Sequence, residues 1–235
     1  MIDTEQEHEA PAVDDETGRG TAARTFVITA AVLAVLLLGA AVGLLVKLPG
    51  SDSSAPVPAA DSVDVGFAQD MSTHHLQGVQ MANIARDQSS DLAVRQLAFD
   101  IASTQLEQVG RMKGWLSMWA QPEQSPTGEH MAWMSNDAAH AHGATTAATG
   151  SSPMPGMATA DELAKLRGLS GTEFDVYFLQ LMLRHHEGGS SMAAHAADHA
   201  AEPVLRNLAD NMLKSQASES EYMKSLLTER NAQPL

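Results

Sequence analysis

Cysteine is absent from this 235-residue chain. That excludes disulfides, thiolate metal sites, thiol nucleophiles and a lipid-modified cysteine anchor. Basic residues are scarce, 14 against 29 acidic ones, for a formal charge of −15. Phosphate neutralisation needs clustered Lys and Arg, so no nucleic acid is expected as a partner. Aromatics make up only 4 % of the chain. No Gly-rich phosphate loop and no convincing Ser-His-Asp order is present, and no catalytic residue is assigned. The Glu-x-x-His pair that di-iron bundles place on core helices occurs only as Glu5 to His8, in the acidic leader. What the chain does have is Met, 13 residues, and His, 10 residues, in a background of Ala and Leu that favours helices.

Residues 1–24 carry seven acidic side chains and no apolar periodicity, and read as a disordered, cytoplasmic tail. Residues 25–46 contain no charge. As a helix they span about 33 Å, enough for a bilayer core. Arg19 and Arg24 before the run, against Lys47 after it, favour a cytoplasmic N-terminus. A retained single-pass anchor fits better than a cleaved signal peptide, because the leader is acidic and no cleavage site follows closely. Residues 47–61 are a Pro/Ser/Ala linker. The expected folded domain, residues 62–230, therefore lies outside the cytoplasmic membrane.

That domain contains a repeat. Residues 67–116 align without a gap on residues 178–227 at an offset of 111, with 17 identities in 50 positions. The matched pairs include Phe67/Phe178, Met71/Met182, His74/His185, His75/His186, Gly78/Gly189, Met81/Met192 and Gln105/Gln216. Each repeat reads as two helices, with Asp91 capping the second helix of one and Glu202-Pro203 starting that of the other. Two such hairpins bury their apolar faces only against each other, which gives an all-α four-helix bundle with an approximate two-fold axis. A His/Met-containing segment, 121–160, joins them and ends in a short helix from Thr159 to Arg167.

The two His pairs lie on the buried faces, beside Met71, Met81, Met182 and Met192. Imidazole plus thioether without thiolate is a ligand set suited to copper, especially Cu(I). The alternative for any single motif is a satisfied core histidine with Met as filler; repetition in register favours ligands. Gly78 and Gly189 are expected to let two helix backbones approach closely. Gln105 and Gln216 sit on apolar stripes, level with the His pairs across each hairpin, and are candidates to orient an imidazole by a hydrogen bond; a register-fixing amide contact is the alternative. His195 and His199, four apart, extend a ribbon from His185 through Met192 and are additional candidate ligands or an exposed polar flank. The segment 121–160 holds His130, Met131, Met134, His140, His142, Met154 and Met157, and reads more readily as an inert biased loop than as a metal trap.

The doubled Met-x-x-His-His-x-x-Gly-x-x-Met-Ala pattern resembles the bacterial domain-of-unknown-function family 305. So does the stretch from Leu169 to Leu179 before the second motif. The resemblance spans about residues 62–230. It implies a ferritin-like bundle, usually exported or anchored outside the membrane, with copper binding in some members. Carried over by position, it points to the same four His and four Met. Ser190-Ser191 departs from the pattern, which has bulkier apolar residues there. The reading is a membrane-anchored copper-binding protein for storage, buffering or handover. The alternatives are an envelope protein-interaction module with structural His pairs, and a metal-dependent oxidoreductase. A metal ion and the membrane are the expected partners; a protein partner is unspecified and a homo-oligomer is compatible with the sequence.

Overall fold

The computed structural model describes residues 17–45, 57–134 and 154–235. These fall into two units, one within residues 1–56 and the other spanning residues 57–235. The first holds a single helix, α1 (Thr17–Leu45). Its stretch Ala23–Gly43, 21 residues, is long and apolar enough to cross a membrane. The helix begins at Thr17, inside the segment expected to be a disordered tail. Residues 1–16 lie outside the described residues.

The second unit is all-helical among the described residues: α2 (Val63–Gln88), α3 (Leu92–Met118), α4 (Ala160–Gly168), α5 (Gly171–His199) and α6 (Pro203–Glu229). Its ends are set by side chains that satisfy the orphan amides of each first turn. Ser62 accepts from Val65 N, and Asp91 accepts from Ala93 N and Val94 N. Thr159 and Glu162 form a reciprocal capping box, and Pro203 occupies the first turn of α6, where no donor is lost.

Helices α2/α3 and α5/α6 are the two hairpins, and α2 packs on α5. The cores show that α2 and α5 run antiparallel. Val65, Phe67 and Met71 from the start of α2 cluster with Met192, Ala193 and Ala196 from the end of α5. Met81, Ala82 and Ala85 from the end of α2 cluster with Phe174, Phe178 and Met182 from the start of α5. A four-helix bundle with two apolar cores results, one toward each end. Fully burying a side chain such as Phe67 or Met182 contributes roughly 1.5–3 kcal/mol, so each cluster is a substantial source of stability.

A pair of buried aspartates at matching repeat positions clasps the hairpins together. Asp64 accepts from Ala201 N and Glu202 N at the α5–α6 turn, at 2.9 and 2.8 Å. Asp175 accepts from Ser89 Oγ at the α2–α3 turn, at 2.6 Å. Each hairpin thus holds the turn of the other. Arg206 donates to the carbonyls of Ala200 and Ala201, where the helix end leaves acceptors free.

The connection between hairpins is not an inert loop at its ends. His130 Nδ1, Met131 N and Trp133 Nε1 all bond the buried carboxylate of Asp70, at 2.7, 2.8 and 2.8 Å. Met131, Trp133 and Met154 are buried in the core nearest the start of α2. The middle of the segment, with His140 and His142, lies outside the described residues. Before α4, residues 154–158 form a strap. Gln77 grips Ala158 from both sides, donating to its carbonyl at 2.9 Å and accepting from its N–H at 2.6 Å. Gly156, at φ +78°, and Gly188 of α5 meet there with no room for a Cβ on either. Arg184 then ties α5 to α4 through Glu162, and its guanidinium holds that carboxyl down at about 2.

Candidate metal centre

Between the two apolar cores lies a polar layer. It consists of His74 and His75 in mid-α2, His185 and His186 in mid-α5, and four side chains from α3 and α6: Gln105, Gln108, Gln216 and Glu219. All four His are essentially sealed from solvent, none more than 1 % exposed. They are buried because His74, His75 and their repeats fall on the faces that α2 and α5 turn to the bundle interior. The rings of His74 and His185 stack across the α2–α5 contact, centroids 3.8 Å apart and 30° from parallel. Each is 6.4 Å from its neighbour in sequence, His75 or His186.

Each imidazole uses Nε2 to reach an oxygen. His74 Nε2 lies 3.0 Å from the Pro155 carbonyl of the strap, and His185 Nε2 lies 3.0 Å from the His74 carbonyl. His75 Nε2 lies 2.7 Å from Gln108 Oε1, and His186 Nε2 lies 2.7 Å from Glu219 Oε2. A carbonyl or carboxylate oxygen only accepts, so each ring donates Nε2–H. A neutral ring then carries its lone pair on Nδ1. The Nδ1 atoms of His74, His75 and His186 are buried without a hydrogen-bond partner.

Burial holds the rings of His74, His75 and His185 neutral. Loss of hydration pushes His74 down to about 4 and His75 to about 3, from an ordinary 6.5. His185 falls well below its ordinary value, first by burial and then by its three histidine neighbours. Neutral imidazole with a free nitrogen is the form that binds metal. The donor set therefore fits a soft or borderline ion. Among the described residues, however, no three His, Asp or Glu side chains converge to form a ready-made cage.

The four candidate thioethers flank the layer in pairs. Met71 and Met192 lie in one core and Met81 and Met182 in the other, all fully buried. His195 and His199 are not brought to the layer. Nine residues of helix, about 13 Å, separate His195 from His186. His195 meets the edge of Trp133 with ring centroids 5.5 Å apart and stacks on exposed His199 at 4.2 Å.

Two expectations change in detail. Gly78 and Gly189 do face the interior, but side chains fill the space they leave. A Cβ at Gly78 would strike Gln105 Oε1 and come within 3.1 Å of the His185 ring. A Cβ at Gly189 would come within 3.1 Å of the His74 ring and 3.5 Å of Gln216 Oε1. Gln105 and Gln216 are in the layer, yet neither hydrogen-bonds an imidazole. Gln108 and Glu219 do so instead, one turn later on α3 and α6. Helical side chains lean toward their own N-terminus, so the residue that reaches a given level sits C-terminal to it. The sequence does hold a signal for them: both are polar, and they occupy matching repeat positions 108 and 219. Ser190 and Ser191 return their hydroxyls to the α5 carbonyls of His186 and Gly188, at 2.9 and 3.1 Å.

Residues 64–227 match the family described as Domain of unknown function (DUF305), and the chain belongs to that family. A DUF305 protein of Streptomyces coelicolor, provisionally assigned as secreted, is 45 % identical with a TM-score of 0.66; the match covers 75 % of this chain and 99 % of that one. A DUF305 fragment from Deinococcus radiodurans is 30 % identical, with a TM-score of 0.57 over 71 % of this chain and 96 % of that one. CopM in its Cu(II)-bound form shares the fold at 24 % identity, with a TM-score of 0.52 over 71 % of this chain and 96 % of that one. No curated protein matches the chain.

Proposed function

We propose that this protein binds copper in the layer of four buried histidines, with thioethers from Met71, Met81, Met182 and Met192 on either side, and stores, buffers or hands on the ion. The observation that carries this reading is the common orientation of the rings. All four give Nε2–H to an oxygen, and the Nδ1 atoms of His74, His75 and His186 are left buried and unpartnered. A buried acceptor without a donor is costly, and a soft metal ion relieves that cost. CopM, which has this fold, is known in Cu(I)-, Cu(II)- and silver-bound forms, in keeping with such a role. In this reading α1 is a retained anchor, the N-terminus is cytoplasmic, and the domain from residue 62 onward faces the outside.

A second reading is supported by the stacked His74/His185 pair and its Nε2–carbonyl bond, which link α2 to α5 without any metal. In it the layer fixes register, and a surface of the bundle meets an envelope partner. Competition titration of the purified protein with a Cu(I) chelator separates the two. The copper reading expects chelator-resistant binding that loses a site in His74→Ala or His185→Ala. Binding unchanged in both variants, each verified as folded by circular dichroism, contradicts it.

A further inference from the structure

The two halves of the histidine layer match in nearly every residue; His74 and His185 each face a backbone carbonyl, whereas the groups behind His75 and His186 differ in charge. His74/His185, His75/His186, Gly78/Gly189 and Gln105/Gln216 are identical pairs. Behind His75 is the neutral amide oxygen of Gln108; behind His186, at the same 2.7 Å, is the carboxylate of Glu219. Both acceptors fix the ring with Nε2–H on the acceptor and leave Nδ1 buried and unpartnered. Only Glu219 adds a charge. Its side chain is 20 % exposed and the imidazole it touches is fully buried, so that charge acts through a poorly screened path.

A carboxylate behind an imidazole raises the donor strength of the far nitrogen. It also places a negative charge near whatever ion that nitrogen holds, and the attraction scales with the charge of the ion. A neutral amide orients the ring without either effect. The two half-layers are therefore alike in shape and unlike in electrostatics.

We infer that Glu219 determines ion preference in the second half of the layer: through His186 it favours divalent copper, while the Gln108-backed His75 half favours monovalent copper. The inference rests on the copper reading above and adds to it a positioning residue that does not itself touch the ion.

The test is Glu219→Gln in the full-length protein in detergent. Gln108 already shows that an amide accepts from this ring position, so the variant gives His186 the same kind of neutral partner that His75 has. Cu(II) affinity is measured by chelator competition, and Ag(I) serves as a redox-inert monovalent probe. Cu(II) affinity is expected to fall roughly 10–100-fold, the usual effect of losing such a partner, and Ag(I) affinity by a smaller factor, about 3–10-fold, because the attraction scales with the charge of the ion. Gln108→Glu should do the reverse, raising Cu(II) affinity by a larger factor than Ag(I) affinity; it decides the matter if Glu219→Gln does not fold. Equal losses of both ions in Glu219→Gln, or no loss of either, overturn the inference while leaving copper binding standing. A wild-type protein that holds neither ion overturns the copper reading, and this inference with it.

Discussion

At the residue scale, the layer turns on the protonation state of its rings. His74 and His75 titrate at about 4 and about 3 in the folded protein, against 6.5 when exposed. Between those values the unfolded chain takes up protons that the folded one refuses, so stability is complete above pH 6.5 and drains away as the pH falls toward 4 and then 3. The expected slope is about 1.4 kcal/mol per pH unit for each such histidine. Urea unfolding at pH 7, 6 and 5 checks this; Glu162, held low by Arg184, adds its own loss only below about 4.5. A flat profile from 7 to 5 contradicts neutral burial of the rings. Gln108→Leu should cost about 1–3 kcal/mol, because it strands the His75 Nε2–H in the interior, and thermal unfolding measures that loss. The positions of the four His were legible in the sequence from their repetition in register. The side chains that hold them were not, since level pairing pointed to Gln105 and Gln216, whereas the lean of helical side chains hands the bond to Gln108 and Glu219.

At the element scale, the helices and their ends follow from local rules: Asp91, Thr159 and Pro203 start the helices the sequence assigns to them. The strap at residues 154–158 does not follow from such rules. Its conformation depends on Gly188 of α5, Gln77 of α2 and the positive φ of Gly156 meeting in space, and nothing local announces that. The asymmetry was visible in one place, where the repeat puts Gln77 opposite Gly188. Gly156→Ala would combine a strained backbone with a clash against the Arg184 carbonyl. A destabilisation on the order of 1–3 kcal/mol is expected, read as a lowered unfolding midpoint. Because Pro155 of the strap accepts from His74, the same variant should also broaden the His74 ring signals in NMR spectra. An unchanged midpoint would mean the strap contributes nothing to the fold.

At the scale of the whole molecule, the ungapped repeat was enough to deduce the bundle: two hairpins, each with one apolar face, close on each other. The division of the core into two clusters around a polar layer comes from that same symmetry, because a His pair in the middle of α2 is answered by one in the middle of antiparallel α5. Such a layer forgoes apolar burial at the centre of the domain. Its presence in both repeats is in keeping with the proposed copper site. The second unit, residues 57–235, has its own cores and clasps, so a chain starting at Val57 should fold to a soluble, helical protein, and far-ultraviolet circular dichroism checks this. The full chain should fractionate with membranes through Ala23–Gly43, and recovery of an intact soluble form would contradict the anchor.

In the copper reading the ion binds at the buried Nδ1 atoms of the layer. The most direct measurement is long-range proton–nitrogen NMR of the 15N-labelled protein, with and without Ag(I). Without metal, all four rings should carry a proton on Nε2, and His74, His75 and His185 should appear as the neutral Nε2–H tautomer. With metal, their Nδ1 resonances should shift while the Nε2–H signals persist. Shifts confined to His130, His140, His142, His195 and His199, with the four buried rings unmoved, would contradict the account and place the metal outside the bundle core.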